Sequence, residues 1–430
     1  MINRILEARS VYALVALLAA ANAVHGAGFY SPSVGTPGSL GTAGVANPTN
    51  TRGADASWTN PAGMTGIDQQ HILSGLQVIL PSVKFNAKSA ENNAILPSRL
   101  GPVTGDNGGN AAEVAPVPSF FYVRPLSDRL RFGLASTAPL GGGVDYGSDF
   151  VGRYAVRDVT LAGLALTPSL AYRVTDQLSI GAGVSVVYTT LDQSIAIRQG
   201  APNPALDGRV KFEDLEDWGV QAVLGLTYAF TDRLLLGLVY RSEMDTDLEG
   251  DVNYEGLRNP QLAALLPRDV KISWTNPQWL EAGLRYRMDD KTQLYFNAGW
   301  QEWSKFSENE LSFRNDRVVV SDRNWDNTWH AGIAAVRVLS PSSLVSIGLA
   351  YESSPVKDAY RTLDFPVDEQ WKVSASYGWK HSDSMSFSLG ATLSFVGDAA
   401  LEQTAQRVTV RGDYDTNFLA VVGGTLRYEF

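Results

Sequence analysis

The sequence contains no cysteine. Disulfides, thiolate metal sites, a cysteine nucleophile and a lipidated cysteine are thereby excluded, and the chain suits an oxidising compartment where a stray thiol would be attacked. There are only four histidines, too few for a histidine metal cluster. Basic residues are not in excess: 35 Lys and Arg stand against 45 Asp and Glu, a net charge of −10, which argues against nucleic acid as a partner because phosphate binding needs a basic face. No run of about 20 apolar residues occurs, the length a helix needs to cross a bilayer. Any membrane role therefore falls to strands. The 430 residues include 40 Gly, 17 Tyr, 16 Phe and 10 Trp, which suits alternating strands with small residues on one face and interfacial aromatics on the other.

Residues 1–26 read as an address. Arg4 and Arg9 precede an apolar run from Val11 to Ala23, and small residues follow through Gly26. The run is too short to span a bilayer, so a cleaved signal peptide is expected, with the mature chain starting Ala27, Gly28, Phe29.

From about residue 70 onward one unit repeats: an alternating segment, then a turn. Leu178, Ile180, Ala182, Val184, Val186 and Tyr188 are apolar, while Ser179, Gly181, Gly183 and Ser185 between them are small or polar. Met385 to Phe395 and Leu280 to Tyr286 repeat the pattern. Short turns recur at 127–129, 175–177, 231–233, 289–291, 340–342 and 382–384, and longer polar loops lie near 86–115, 142–155, 199–209, 254–267, 314–323, 354–366 and 398–415. Long and short connections alternate without a break, as expected when one rim of a barrel faces the periplasm and the other the exterior. Six turns and seven loops join 14 strands. Tyr172, Tyr228, Tyr286, Tyr377 and Tyr428 fall at the short-turn ends, and Tyr188, Tyr240, Trp300 and Tyr351 near the long loops, as two interfacial girdles. The expected fold is an all-β, 14-stranded antiparallel transmembrane β-barrel over residues 70–430 in the outer membrane of a Gram-negative cell. Leu426, Tyr428 and Phe430 close the chain on one face, an ending through which the barrel assembly machinery is expected to act.

Residues 27–69 do not alternate. Pro32, Pro37, Pro48 and Pro61, with many Gly, Ser, Thr and Asn, predict turns and short helical pieces. A compact segment of this length suits a plug, because a 14-stranded barrel encloses a lumen that would otherwise leak. Within it Asn60 is suited to cap a turn, Pro61 fixes φ and Gly63 permits close packing.

The start AGF (Ala27 to Phe29), the stretch GSLGTAGVA (Gly38 to Ala46) and GADASWTNPAGM (Gly53 to Met64) resemble the hatch of the FadL/TodX family of outer-membrane long-chain fatty-acid and hydrocarbon transporters. Asn60, Pro61, Ala62, Gly63 and Met64 carry most of the likeness. FVGRY (Phe150 to Tyr154), followed by TPSLAYRVTDQLSIGAGV (Thr167 to Val184), resembles the same family's second loop and the hairpin after it. The resemblance implies an N-terminal hatch inside the lumen and an inner ligand pocket reached by Ala27, Gly28 and Phe29. It further implies ligand contacts at Arg153 and Tyr154, and a lateral exit where the third strand is kinked. That strand is expected from about Arg129 to Leu140, with Pro139, Gly141, Gly142 and Gly143 marking a break at its outer end.

No catalytic constellation stands out. His25 falls in the signal segment, His71 and His381 lie at strand ends, and His330 alone sits within a strand, where it reads as an ordinary polar lining residue. Asp245, Asp247, Glu249 and Asp251 alternate along one strand's outer end and read as a solvated lumen face, with a divalent ion or lipopolysaccharide-associated cations as the alternative. Arg173, Arg241, Arg285, Arg287, Arg427, Glu281, Glu429 and Lys372 share lumen parity and are expected to hold the hatch, with a role at a carboxylate ligand as the alternative. The expected function is passage of hydrophobic molecules, long-chain fatty acids first and aromatic hydrocarbons as the alternative, by a single copy of the chain embedded among outer-membrane lipid and lipopolysaccharide. No cofactor, metal or catalysis is called for. A general porin and an outer-membrane lipolytic enzyme are the other readings, the first disfavoured by the plug and the second by the histidine count.

Overall fold

The computed structural model describes residues 36, 38–93, 101–259, 266–313 and 318–430. The signal segment and Ala27, Gly28 and Phe29 lie outside them.

One antiparallel sheet of strand segments runs through the chain. Its first six members are long: β1 (His71–Asn92), β2 (Ala115–Pro125), β3 (Leu130–Asp145), β4 (Asp158–Arg173), β5 (Leu178–Ile197) and β6 (Gly208–Thr231). Interrupted strands follow, namely β7 (Leu234–Arg241) with β8 (Met244–Glu255), β9 (Asp269–Asn276) with β10 (Trp279–Arg287), β11 (Thr292–Gln301) with β12 (Glu308–Phe313), and β13 (Val318–Asp322) with β14 (Thr328–Ser340). β15 (Ser343–Glu352), β16 (Gln370–Lys380), β17 (Met385–Val396) with β18 (Leu401–Ala405), and β19 (Val408–Glu429) complete the ring. Taking each interrupted pair as one gives 14 strands. β1 pairs with β2 on one side and with β19 on the other, from His71 opposite Glu429 to Asn92 opposite Val408, so the sheet closes and no edge is left.

The six short turns share one chemistry. Ser127, Thr175, Thr231, Asp289, Ser340 and Ser382 each place a side-chain oxygen where it accepts backbone N–H groups two or three residues on, as from Leu130, Leu178, Leu234, Thr292, Ser342 and Met385. Asx and Ser/Thr turns of this kind reverse the chain without glycine. The long connections, by contrast, are built largely of strand. β1 runs on to Asn92, and the 398–415 connection contains the β18–β19 hairpin, whose tip residues Gln406 and Arg407 have φ 47° and 64°.

Face alternation follows the sequence. Ile347 is 61 % exposed and its neighbour Ser346 5 %, because the first meets lipid and the second the lumen. Two aromatic belts result: Tyr188 with Trp218, Trp300 with Trp329 and Tyr351 with Trp371 toward the long loops, Tyr228 with Phe230 and Tyr428 with Phe430 toward the short turns. The acidic row of β8 corrects the expectation of a lumen face. Asp245, Asp247, Glu249 and Asp251 point outward and are exposed, while Met244, Thr246 and Leu248 are buried. Arg241 faces inward on β7 and Met244 faces inward on β8, so the break at Ser242 and Glu243 exchanges the two faces.

Candidate functional site: the filled lumen and a seam in its wall

Residues 38–67 fold as short helices inside the ring. Helix Ser39–Thr42, a 3₁₀ turn Asn47–Thr49, helix Ala56–Thr59 and a 3₁₀ helix Pro61–Gly66 are joined by tight turns, and nearly all of their residues are buried. Asn60 organises the lower turn. Its Oδ1 accepts from the Ala62 N–H, and its Nδ2 donates to Pro48 O at 2.6 Å and to Leu226 O of β6 at 3.2 Å. Pro61 starts the 3₁₀ helix, where its missing N–H costs nothing. A side chain at Gly63 would collide with Asn50 O. The wall is shaped to match. Gly133, Gly181, Gly225, Gly237, Gly283 and Gly348, from six different strands, each lie so close to the segment that a Cβ would clash with it.

Arginines of the wall hold the segment by its carbonyls. Arg173 donates to Thr65 O and Arg241 to Trp58 O, and Arg285 donates to Thr51 Oγ1 at 2.8 Å. The Arg241 guanidinium also stacks 4.0 Å from the Trp58 ring centroid. Arg131 is a fourth clamp that the sequence reading passed over, although its parity with Gly133 and Ala135 pointed inward. Its Nε donates to Ile67 O at 2.6 Å and its Nη2 reaches Asp68 at 3.2 Å. Lys372 and Glu281 have other partners: Lys372 pairs with Glu352, and Glu281 accepts from Asn297 at 2.6 Å. His330 Nε2 lies 3.5 Å from Glu281, edge-on to Trp279, as part of the same polar lining. Among the described residues no three His, Asp or Glu side chains are arranged to hold a metal. Arg241→Met is expected to loosen the segment by about 1–3 kcal/mol, the cost of leaving a buried carbonyl unpaired. Limited proteolysis should then cut within residues 38–67, while the barrel itself still resists detergent until boiled.

Above the segment the interior is apolar. Ile79, Val83, Leu140, Val144, Leu161 and Leu419 belong to one buried cluster that draws on strands all round the ring, and Leu40 of the first short helix joins it from below. At the outer end Phe85, Tyr146, Phe150 and Tyr414 close over it. Tyr146 and Phe150 stack at 4.1 Å, and the Tyr146 hydroxyl donates to Leu363 O at 3.0 Å. Arg153 and Tyr154 stand beside this roof in a closed knot. Arg153 Nε donates to Asp207 at 2.8 Å, its Nη1 to Thr104 O and Phe150 O, and its Nη2 to the Tyr154 hydroxyl, which itself donates to Asp207. The Arg153 side chain is fully buried, and these partners all belong to the loops that it ties together. Asp207 and Thr104 carry no sequence signal of this role, being distant from Arg153 along the chain.

The third strand departs from its expected end. β3 passes through Gly141, Gly142 and Gly143, which pair with Ala162, Leu161 and Thr160, and continues to Asp145. The break lies earlier. Thr137 is opposite Ala165 and Leu140 opposite Gly163, so Ala138 and Pro139 form a bulge with one residue too many. On the other side β3 leaves β2 at Ser136, opposite Phe120. Beyond that point β2 keeps its ladder with β1 up to Ala115 opposite Ile79, and it has no N–H to offer at Pro116 and Pro118. Further out the gap is pinned again, because the Asp145 N–H donates to Ala111 O at 2.6 Å and the Ala111 N–H to Val83 O. The result is a seam in the barrel wall, unpaired between β2 and β3 and closed at both ends. Ala115, Val117, Leu140 and Val144 beside it belong to the apolar cluster of the lumen.

A closed barrel of 14 strands with lipid-facing apolar residues, two aromatic belts and a packed lumen defines an outer-membrane β-barrel protein. The chain belongs to the outer membrane protein transport family OMPP1/FadL/TodX, whose model matches residues 17–430. It is 27 % identical over 389 residues to an outer membrane protein of Neisseria meningitidis serogroup B, covering 81 % of each chain. It is 22 % identical over 369 residues to the long-chain fatty acid transport protein of Escherichia coli O6:H1, covering 77 % of this chain and 79 % of that one. Among solved structures a Pseudomonas aeruginosa FadL homologue superposes with a TM-score of 0.84 at 20 % identity, covering 96 % of this chain and all of that one. The Pseudomonas putida toluene transporter TodX superposes with a TM-score of 0.65 at 19 % identity, covering 88 % of this chain and 94 % of that one.

Proposed function

We propose that this barrel admits long-chain fatty acids to its apolar upper lumen and releases them sideways into the membrane through the seam between β2 and β3, by diffusion and without catalysis. The seam carries this reading. It opens from an apolar interior above a packed segment, and a lateral route spares an acyl chain the aqueous periplasm. The segment 27–69 acts as the hatch beneath it, and Ala27, Gly28 and Phe29 reach the ligand from below. Two relatives bear on the substrate, one named for long-chain fatty acids and one for toluene. The fatty acid is favoured because the apolar cluster draws on strands all round the lumen, more apolar lining than one ring would meet. Arg153 and Tyr154 enter this function by holding the roof.

Mass spectrometry of lipid co-purifying with the wild type tests the substrate: fatty acid is the expected result, and an aromatic compound in its place would transfer the reading to hydrocarbons. Phe29→Ala should then weaken fatty-acid binding by about 1–2 kcal/mol, the value of one ring packed on an acyl chain. Equal affinity on correctly folded barrel would show that the pocket is built elsewhere.

A further inference from the structure

At the short-turn rim, beneath the upper part of the lumen segment, lies a cavity of about 530 Å³. Residues 38–55 wall it on one side, and the lumen faces of β10, β11 and β14 to β17, with β19, wall it on the other. It is rich in hydroxyls, among them Ser343, Ser346, Ser376, Ser388 and Thr425. Two of its cations have carboxylate partners: Arg427 pairs with Glu429 and Lys380 with Asp383. The carboxylate of Asp55 accepts from Asn50 Nδ2 at 2.9 Å. Arg285 donates to Thr49 O and Thr51 Oγ1, both uncharged. Among the described residues neither Arg285 nor Arg52 has a carboxylate within ion-pair distance, yet Arg285 bonds Thr51, the residue next to Arg52, and both arginines line this cavity. Two guanidiniums that face one cavity repel one another. An oxyanion between them would convert that repulsion into charge-assisted hydrogen bonds.

We propose that this vestibule is an anion site in which a phosphate or carboxylate bridges Arg52 of the lumen segment to Arg285 of the barrel wall. The bridge adds Arg52 to the contact that Arg285 already makes with Thr51, so an occupied site holds the segment in place. Free phosphate in the periplasm and the carboxylate of the cargo present the same chemistry to it.

Isothermal titration of the full-length protein in non-ionic detergent, with inorganic phosphate at constant ionic strength, tests the site. Saturable binding is expected, weakened at least tenfold in Arg52→Gln and largely retained in Arg52→Lys, with heat-modifiable migration as the check on folding. Arg52 is exposed and makes no side-chain hydrogen bond or ion pair among the described residues, so both variants should assemble. A second arm adds laurate: displacement of phosphate assigns the site to the cargo's carboxylate, and undisturbed binding assigns it to free phosphate. Absence of phosphate binding to the wild type, or equal affinity in wild type and Arg52→Gln, would overturn the proposal. Should Arg52→Gln fail to assemble, a chloride titration of the wild type that matches the phosphate one would overturn it as well.

Discussion

Deletion of residues 27–64 is expected to turn a barrel that carries little current in planar bilayers into one that conducts ions freely. A closed sheet of 14 strands encloses a lumen wider than its own side chains can fill. Here the wall makes no attempt to fill it at the level of the segment. Glycines on β3, β5, β6, β7, β10 and β15 face inward, and the helices and turns of residues 38–67 occupy the space that side chains would have taken. The ladder that closes the barrel, β1 on β19, owes nothing to the segment, so the shortened protein should still form and still migrate anomalously on gels before boiling. Arg241 and Arg285 would lose the contacts with Trp58, Thr49 and Thr51 that the deletion removes, and with Arg131 and Arg173 would line an open, cation-repelling pore. The open state should therefore favour anions. Unchanged conductance after the deletion would mean that the segment does not seal the lumen.

On the proposed lateral route, replacing Pro116 and Pro118 together by valine is expected to reduce uptake of the hydrophobic cargo by on the order of tenfold or more, which corresponds to a barrier raised by about 1.4 kcal/mol or more. The register set by Phe120 opposite Ser136, carried outward to the bulge, would bring residue 118 opposite Ala138, with residue 116 two places further along the same edge. Proline prevents that ladder by removing the donor, and valine would restore it with a residue that favours strands. Ligand binding within the lumen should persist, since Ala115, Val117 and Leu140 keep their inward positions. Bound lipid retained without uptake separates a blocked exit from a lost pocket. Uptake at the wild-type rate in a variant whose hydrogen exchange shows the new ladder formed would place the exit elsewhere.

Much of the molecule follows from local rules. Alternation at period two decides which face of β5 or β17 meets lipid, because each side chain is held perpendicular to the sheet whatever lies beyond it. Ser, Thr and Asp at the six turns bind N–H groups two or three residues away, a contact contained within the turn itself. The turns of the lumen segment are local in the same sense: Asn60 caps the helix that Pro61 begins. Closure by pairing the two ends needs only an even strand count and terminal strands of matching length.

Tertiary structure decided the rest, and wherever it did so the cause was either a break in the period or a partner distant in the chain. Ser242 and Glu243 interrupt one strand and exchange its faces, so the acidic row of β8 points outward although continuous alternation would have turned it inward. The bulge at Ala138 and Pro139 does the same to β3, and the glycines after it, which alone suggest an end, are carried onward by pairing with β4. Arg153 has its charge met by Asp207, and Arg285 reaches Thr51 of the lumen segment, through contacts between residues 54 and 234 positions apart. Alternation, turn chemistry and strand count are properties of neighbours, so the sequence alone determined them. Which charge meets which carboxylate, and where the wall parts, depend on how far the strands slide past one another when the ring closes.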